Sequence, residues 1–445
     1  MRNYTKSEIF EIVKKEDVKF IRLQFTDILG QLKSVALTVS QLEKALNNEC
    51  MFDGSSIEGF VRIEESDMYL YPDLNTFTLL PWHNEEGKIA RFICDIYTPD
   101  KKPFEGDPRY VLKKVLQKAE KMGYKAYVGP EMEFFLYNVD KDGLPTLETT
   151  DQGSYFDMSP VAQGGKVRRA CCNYLDMMGF QVETSHHENS PAQHEIDFKY
   201  DEALFAADNI MTLKLTVRAV AKKYDMWATF MPKPKFGING SGMHMNISLF
   251  DKKGNNVFYD ENADNKISKE CNSFIAGVME HIKEATLFTN PLVNSYKRLV
   301  PGYEAPVYIA WSDKNRSPLI RIPSSRSSTS TRIELRNPDA SCNPYLAIAA
   351  VIAAGLDGME KKLSAPESVP GNIFEMNQTE LSGKSIETLP QNLAEAIYYA
   401  ENSSLMNEVM GKHVMTKYLE AKKREWHDFT TAVTDWEIHK YLLKY

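Results

Sequence analysis

The alternation of apolar and polar positions divides the chain into two unlike parts. Near the start, Ile9, Phe10, Ile12 and Val13 fall on one side of a helix expected over residues 5–16. Val18–Thr26 and Leu32–Val39 then alternate with the period of two that belongs to strands. Asp27-Ile-Leu-Gly30 between them supplies turn chemistry, so the pair predicts a hairpin. A short helix over Ser40–Asn47 and a strand over Ile89–Tyr97 follow. The run Thr98–Gly106, bearing prolines and lysines, breaks the pattern and reads as a linker. We place the domain boundary there, with residues 1–103 before it and 104–445 after it.

The second part opens on Asp107-Pro108, an N-cap followed by proline at the first helical position, and the helix carries Val111, Leu112, Val115 and Leu116 inward. A strand pair is expected around Tyr127 and Met132–Tyr137, a long helix over about 203–223, and a strand over Met226–Phe230. Further helices are expected near 267–288, 343–363, 388–402 and 413–425. Strands and helices mix without a βαβ rhythm, which disfavours a doubly wound sheet and points to an α+β fold. One stretch stands out. Lys233–Ser248 passes through Gly237, Asn239, Gly240, Ser241 and Gly242 into the alternating run His244–Phe250. Its glycines let backbone approach a ligand closely. His244, Asn246 and Ser248 share one strand face. Such a face is costly to bury without partners, and phosphate, carboxylate or metal would each serve. A plain hairpin turn is the alternative.

Composition narrows the classes. The chain has 445 residues, 43% hydrophobic and 26% charged, which suits a soluble globular enzyme of two or three domains. A net charge of −8 and the lack of a basic run argue against nucleic acid as a partner. The six cysteines form no CxxC pair, so a zinc or disulfide framework has little support and a reducing cytoplasm fits. The N-terminus has no apolar signal core, and the most apolar helix, Tyr345–Leu356, is too short to span a bilayer, so no membrane association is expected.

The candidate chemistry lies in carboxylates and arginines. Glu131 and Glu133, at i and i+2 on a strand, face one side and repel each other unless a cation sits between them. Glu188 and Glu195 come from His186–Glu195, and Glu334 lies between Arg332 and Arg336. Five carboxylates with His244 favour hard divalent cations, Mg²⁺ or Mn²⁺. Arg298, Arg316, Arg321, Arg326, Arg332 and Arg336 crowd one segment, suited to phosphate and carboxylate or else to structural ion pairs. No GxxxxGK[ST] loop is present. Phosphoryl transfer fits this set, and metal-dependent hydrolysis is its rival.

Asp53-Gly-Ser-Ser56, Gly129-Pro-Glu-Met-Glu133, Lys233-Pro through Asn239-Gly-Ser-Gly-Met-His244, Asn294-Ser-Tyr-Lys-Arg298, Pro301-Gly-Tyr-Glu304 and Arg332-Ile-Glu-Leu-Arg336 occur in that order. Together they resemble type I glutamine synthetase over essentially the whole chain. The resemblance implies an N-terminal β-grasp domain and a C-terminal catalytic domain with a curved antiparallel sheet and flanking helices. It implies a dodecamer of two hexameric rings, with active sites shared between neighbouring subunits. The implied reaction joins ammonia to the γ-carboxylate of glutamate at the expense of ATP, through a γ-glutamyl phosphate. Two or three Mg²⁺, with Mn²⁺ as an alternative, are implied per site.

The same resemblance assigns residues. Glu133, Glu188 and Glu195 match the ligands of one ion, and Glu131, His244 and Glu334 those of a second. Asn239, Gly240, His244, Arg298, Arg336, Glu131 and Glu304 match the glutamate site. Arg316, Arg321, Arg332 and Ser248 match ATP contacts, with Arg316 and Arg336 beside the transferred phosphate. Asp53 matches the base that deprotonates ammonium, with Ser56, Tyr155 and Glu188 completing that pocket and Glu304 on a lid. The family has histidine where this chain has Asn246. Phe374, in Asn372–Met376, replaces the tyrosine that some members adenylylate, and the chain also resembles the short, non-adenylylated subclass, without the extra insertion of the adenylylated one. There Arg62 matches an arginine linked to feedback inhibition by glutamine, and the inhibited form can bind transcription factors of nitrogen control. A ligase for larger amines, or a homologue without catalysis, remains a rival. The intact Asp53–Ser56 sequence favours ammonia, and none of the metal ligands is missing.

Overall fold

The computed structural model describes residues 3–445 except 56, 58, 60–66, 83–86, 159–163, 325 and 377. Ser56 and Arg62 therefore lie outside the described residues. The chain runs α1 (Lys6–Lys15), β1 (Val18–Thr26), β2 (Leu32–Thr38), α2 (Leu42–Leu46), β3 (Cys50–Asp53), β4 (Asp67–Leu80) and β5 (Lys88–Tyr97). These strands form a sheet in the order β2-β1-β5-β4-β3, with β1 and β5 parallel and the other pairs antiparallel. Thr5 caps α1 through a reciprocal capping box with Glu8. Ile9 and Val13 enter the core, whereas Phe10, expected inward, is exposed. Four apolar residues in five positions wrap too far round a helix for one buried stripe to cover them all.

The larger part continues with α3 (Pro108–Lys121), β6 (Tyr124–Asn138), α4 (Gly165–Met177), β7 (Val182–His187), β8 (Gln193–Phe198), β9 (Asp201–Glu202), α5 (Ala203–Lys223), β10 (Met226–Thr229) and β11 (Met243–Asp251). It ends with α6 (Lys269–Thr289), α7 (Ser295–Arg298), β12 (Trp311–Ser312), β13 (Ile320–Arg321), β14 (Ile333–Leu335), α8 (Pro344–Glu360), α9 (Gln378–Gly383), α10 (Leu393–Glu401), α11 (Ser404–Thr431) and α12 (Asp435–Tyr441). The second sheet has the order β12-β13-β14-β11-β6-β8-β7, with β9 and β10 also paired to β6. Every pair in it is antiparallel except β12 with β13.

Two sequence expectations change here. The strand pair around Tyr127 and Met132–Tyr137 is a single strand, β6, running through Gly129-Pro130. On one edge β6 pairs with β9 as far as Val128 and with β8 only from Glu131, so Pro130 falls at a gap in the ladder, where a residue without an N–H is tolerated. The helix expected over 413–425 is part of α11, which breaks at Gly411, where φ is 75°. Glycine tolerates that angle at little cost.

Met132, Phe134 and Leu136 of β6 point into one apolar core with α3, α5 and α8, leaving Glu131 and Glu133 on the opposite face, ahead of Phe135 and Tyr137 in a smaller apolar cluster. Charge ties the two parts together. Arg109, 2% exposed, donates from Nη1 to Asp95 (2.7 Å) and from Nη2 to Asp73 (2.7 Å), and makes a bidentate pair with Asp208. Asp73 and Asp95 belong to the first sheet, and Asp208 to α5. Asn343 also donates to the carbonyls of Asp27 and Ile28 in the first hairpin.

Candidate active site

Cross-strand register assembles the site. His244 on β11 lies opposite Glu131 on β6, which lies opposite Asp197 on β8. Glu133 on β6 lies opposite Glu195 on β8, and Glu195 opposite His186 on β7. Glu334 on β14 lies opposite Asn246 on β11. Directly opposed residues place their side chains on the same face within about 5 Å. Residues more than two hundred positions apart thus become neighbours through sheet pairing alone.

Two donor clusters result. Glu131, His244 and Glu334 form one: His244 Nδ1 is 3.0 Å from Glu131 Oε2 and 3.8 Å from Glu334 Oε1. His186, Glu188 and Glu195 form the other, with the ring of His186 3.4 Å from each carboxylate. Glu133 lies between them. Its Oε2 accepts from Gln193 Nε2 and from the Gly242 amide, both at 2.9 Å. The backbone reaches that carboxylate because residue 242 is glycine; a Cβ there would lie 2.6 Å from Arg298 and 3.0 Å from His244.

The electrostatics divide the acids. Burial pushes Glu131 up, but hydrogen bonds and charge from His244, with help from Asn246, hold it down at about 2. Burial and the neighbouring charge of Glu133 push Glu188 up to about 8. Glu195 rises well above the usual carboxylate range, first through burial and then through Asp197, Glu133 and Glu131. Asp197 rises to about 6, chiefly by burial. Crowded carboxylates with too little counter-charge are what a divalent cation would relieve. The donor set, all oxygen with one or two imidazoles, fits a hard cation. Arg336 Nε is buried and without a hydrogen bond among the described residues, a donor that a bound anion would satisfy.

These groups line a cavity of about 880 Å³. Glu334, 1% exposed, accepts from Arg321 Nη1 and Arg336 Nη1, both at 2.6 Å. Arg298 reaches the carbonyls of Asn337 and Arg336 and flanks Gly240. Arg316 lies on a loop held by Asn315, whose Nδ2 donates to the carbonyls of Val369 and Gly371. Glu304 has φ of +54°, rare outside glycine, and accepts from Asn189 (2.8 Å) and Asn239 (2.9 Å) at the mouth. That latch holds its loop against the cavity.

Most of the expected residues meet here, and three do not. Asp53 is exposed, bonded to Ser55, and does not line the cavity of its own chain. Ser248 is buried beyond the cavity wall. Arg332 also stands outside it, and its Nε donates to Asn246 Oδ1 at 2.9 Å. Asn246 in turn donates to Glu131 at 2.9 Å, so it acts as a bridge between Arg332 and the donor cluster. The sequence reading missed His186, Asn189, Gln193, Asp197, Tyr303, Asn315 and Phe374 in the walls or cluster. His186 and Asp197 stand two places from Glu188 and Glu195, so strand alternation alone would have found them.

A family model described as "Glutamine synthetase, beta-Grasp domain" matches residues 17–99, and one described as "Glutamine synthetase, catalytic domain" matches residues 105–441. The chain belongs to the glutamine synthetase family. It is 55% identical over 445 residues to glutamine synthetase of Clostridium saccharobutylicum, covering 100% of both chains. It is 52% identical over 445 residues to glutamine synthetase of Staphylococcus aureus strain MW2, covering 100% of this chain and 99% of the relative. Among solved structures, Plasmodium falciparum glutamine synthetase superposes with a TM-score of 0.87 at 26% identity, over 99% of each chain. GmaS in complex with ADP gives a TM-score of 0.88 at 28% identity, over 97% of this chain and 98% of that one. The first domain is the family's β-grasp, the second its catalytic domain with a curved mixed sheet. The enzyme forms glutamine from glutamate and ammonia in an ATP-dependent ligation. Among the described residues no helix is long and apolar enough to cross a membrane.

The raised carboxyls carry a pH prediction. A carboxyl whose folded-state pKa lies above its unfolded value stabilises the fold only while it keeps its proton. The metal-free protein should therefore lose stability as pH rises toward about 8, where Glu188 ionises. A bound divalent cation needs ionised carboxylates, so its stabilisation should grow over the same interval. The rise in melting temperature on adding Mg²⁺ is expected to be larger near pH ~8.5 than near pH ~6. An increment independent of pH would count against the crowded-carboxylate reading.

Proposed function

We propose that the site holds divalent cations, Mg²⁺ or Mn²⁺: Glu131, His244 and Glu334 bind one, and Glu188 and Glu195 of the second cluster, together with Glu133, bind another. When bound, they supply positive charge to the phosphates and to the carboxylate being activated. Arg316, Arg321 and Arg336 stabilise the phosphoryl group in transfer, where catalysis is mostly positioning and charge. The γ-carboxylate oxygen of glutamate forms a bond to the γ-phosphorus of ATP, and the bond to ADP breaks. The attack of ammonia on that acyl carbon then expels phosphate. Asn239, Gly240, Arg298 and Glu304 position glutamate, and the Glu304 loop excludes water from the acyl phosphate. Arg332 and Ser248 contribute to nucleotide binding in this reading, Arg332 through Asn246. The observation that carries it is the convergence of two acidic clusters and four arginines on one cavity.

The base is Asp53 of a neighbouring subunit, with Ser56, Tyr155 and Glu188 completing the ammonium pocket. Supporting this, Asp53 does not line its own chain's cavity. Ser55 holds its carboxylate below its ordinary pKa, ionised and able to take up a cation. Assembly, a dodecamer of two hexameric rings in this reading, is also supported by α12 and the chain end. There Trp436, Leu442, Leu443 and Tyr445 are exposed at 63% or more, apolar surface that a single chain leaves uncovered. Mixing inactive Asp53→Ala and Arg336→Ala protomers during assembly should restore activity, because some interfaces then pair two intact halves. No recovery in verified mixed oligomers would sink the shared site. Arg62 relays glutamine inhibition, and the inhibited enzyme binds a nitrogen-control transcription factor. Arg62→Ala should keep turnover and lose that inhibition; undiminished inhibition by glutamine would remove the arginine from this role. The compartment is the cytoplasm.

A further inference from the structure

Behind the second acidic cluster lies a buried polar network that the reaction scheme does not use. Asp151 and His187 pair at 2.9 Å between Oδ1 and Nε2. The other ring nitrogen of His187, Nδ1, lies 2.6 Å from the carbonyl oxygen of Glu188. His194 takes a hydrogen bond at Nδ1 from Arg168 Nη1 (3.0 Å), and its Nε2, buried and without a hydrogen bond, faces Asp151 Oδ2 at 4.0 Å. Two glycines make room for the rings. A Cβ at Gly153 would lie 2.7 Å from His187 Nε2, and one at Gly164 would lie 2.1 Å from His194 Nε2.

Asp151, His187 and His194 are a donor set of the kind that holds zinc. The tautomers argue otherwise. Arg168 can only donate, so His194 Nδ1 is an acceptor and Nε2 carries the proton, leaving no lone pair for a metal. Both nitrogens of His187 face oxygen acceptors, so each donates a proton. Asp151 and His187 therefore form a hydrogen-bonded ion pair, and the His194 N–H faces the other oxygen of the same carboxylate at 4.0 Å.

The network is tied to the site at two points. His187 grips the backbone of Glu188. The loop carrying Tyr155 is held on both flanks, by the Gly153 amide donating to Asp151 Oδ1 (2.8 Å) and the Phe156 amide donating to the His187 carbonyl (3.0 Å). We infer that Asp151 is a positioning residue for the ammonium pocket: through His187 it sets Glu188, and through its own loop it sets Tyr155. This rests on the reading that Tyr155 and Glu188 form that pocket. Glutamate and nucleotide are handled chiefly by β11, β14 and the arginine loops, and the network reaches them through Glu188.

Asp151→Asn keeps the size of the side chain and removes the carboxylate that His187 Nε2 and the Gly153 amide share. In the assembled enzyme the KM for ammonium is expected to rise about ten-fold, roughly 1.4 kcal/mol of binding, with the KM values for ATP and glutamate within about two-fold of the parent. The melting temperature should fall by only a few degrees. His187→Gln, which leaves Asp151 bonded to the Gly153 amide, should show the same selective rise. Tyr155→Phe serves as the reference. If it leaves the ammonium KM unchanged, the reading of the pocket fails. If it raises that KM while Asp151→Asn and His187→Gln do not, the positioning role fails alone. Equal loss in all three constants with collapse of the melting temperature, or failure of both variants to assemble, makes the network purely structural and overturns the inference.

Discussion

Replacing Glu334 by alanine is expected to lower turnover by at least about a thousand-fold while leaving the fold intact. Glu334 is 1% exposed and joins three groups: Arg321 and Arg336, each at 2.6 Å, and His244 at 3.8 Å. Alanine removes an oxygen donor from the first cluster and leaves two guanidinium groups turned toward each other without an anion between them. Metal affinity should fall together with turnover, because His244 and Glu131 alone make a poor site for a hard cation. Glu334→Gln keeps the shape and one acceptor but not the charge, so it should recover little. The check is turnover across a Mg²⁺ titration, with melting temperature as the control for folding. Activity near that of the parent at saturating Mg²⁺ would show that Glu334 balances arginines and nothing more.

The largest effect on stability is expected from Arg109→Leu, about 3–5 kcal/mol. Arg109 faces Asp73, Asp95 and Asp208, and removing it leaves three carboxylates around an uncompensated buried space. Asp208 also accepts from Tyr345 Oη at 2.7 Å and Asp95 from Lys113, so the charges are only partly relieved. Because the network joins both domains, the loss should appear as less cooperative unfolding, the β-grasp domain separating first. Denaturant unfolding at fixed protomer concentration measures it, since assembly itself shifts apparent stability. A shift under about 0.5 kcal/mol would mean that the aspartates take up protons or solvent at little cost.

Much of the fold is visible in the pattern of residues. Asp107-Pro108 marks the start of α3, and Asp107 indeed accepts from the Arg109 amide. The long α5 and the alternation of β11 stand close to their expected limits. The elements left unassigned have physical reasons. Strand β4 contains Pro72 and is bulged between Asp73 and Thr78. Strands β7 and β8 carry so many histidines and acids that their alternation does not look like a buried strand. The polar residues of β8 are buried or half-buried beside the cavity, which a rule based on hydrophobicity cannot anticipate.

The sequence by itself determined which groups are present and which are paired locally. Glu131 with Glu133 on one strand face, Glu334 beside Arg336, and the glycines that open the backbone near His244 all follow from spacing, since side-chain direction in a strand repeats every two residues. The tertiary structure alone decided which strands lie side by side. Only the order β14-β11-β6-β8-β7 brings Glu334, His244, Glu131, Glu195 and His186 onto one surface. It also placed Arg321 rather than Arg332 on Glu334 and seated His187 on Asp151. It left Asp53 outside the cavity of its own chain. Those choices depend on register between distant segments, set by the packing of the opposite, apolar face of the sheet, and no local pattern encodes which partner a strand will meet.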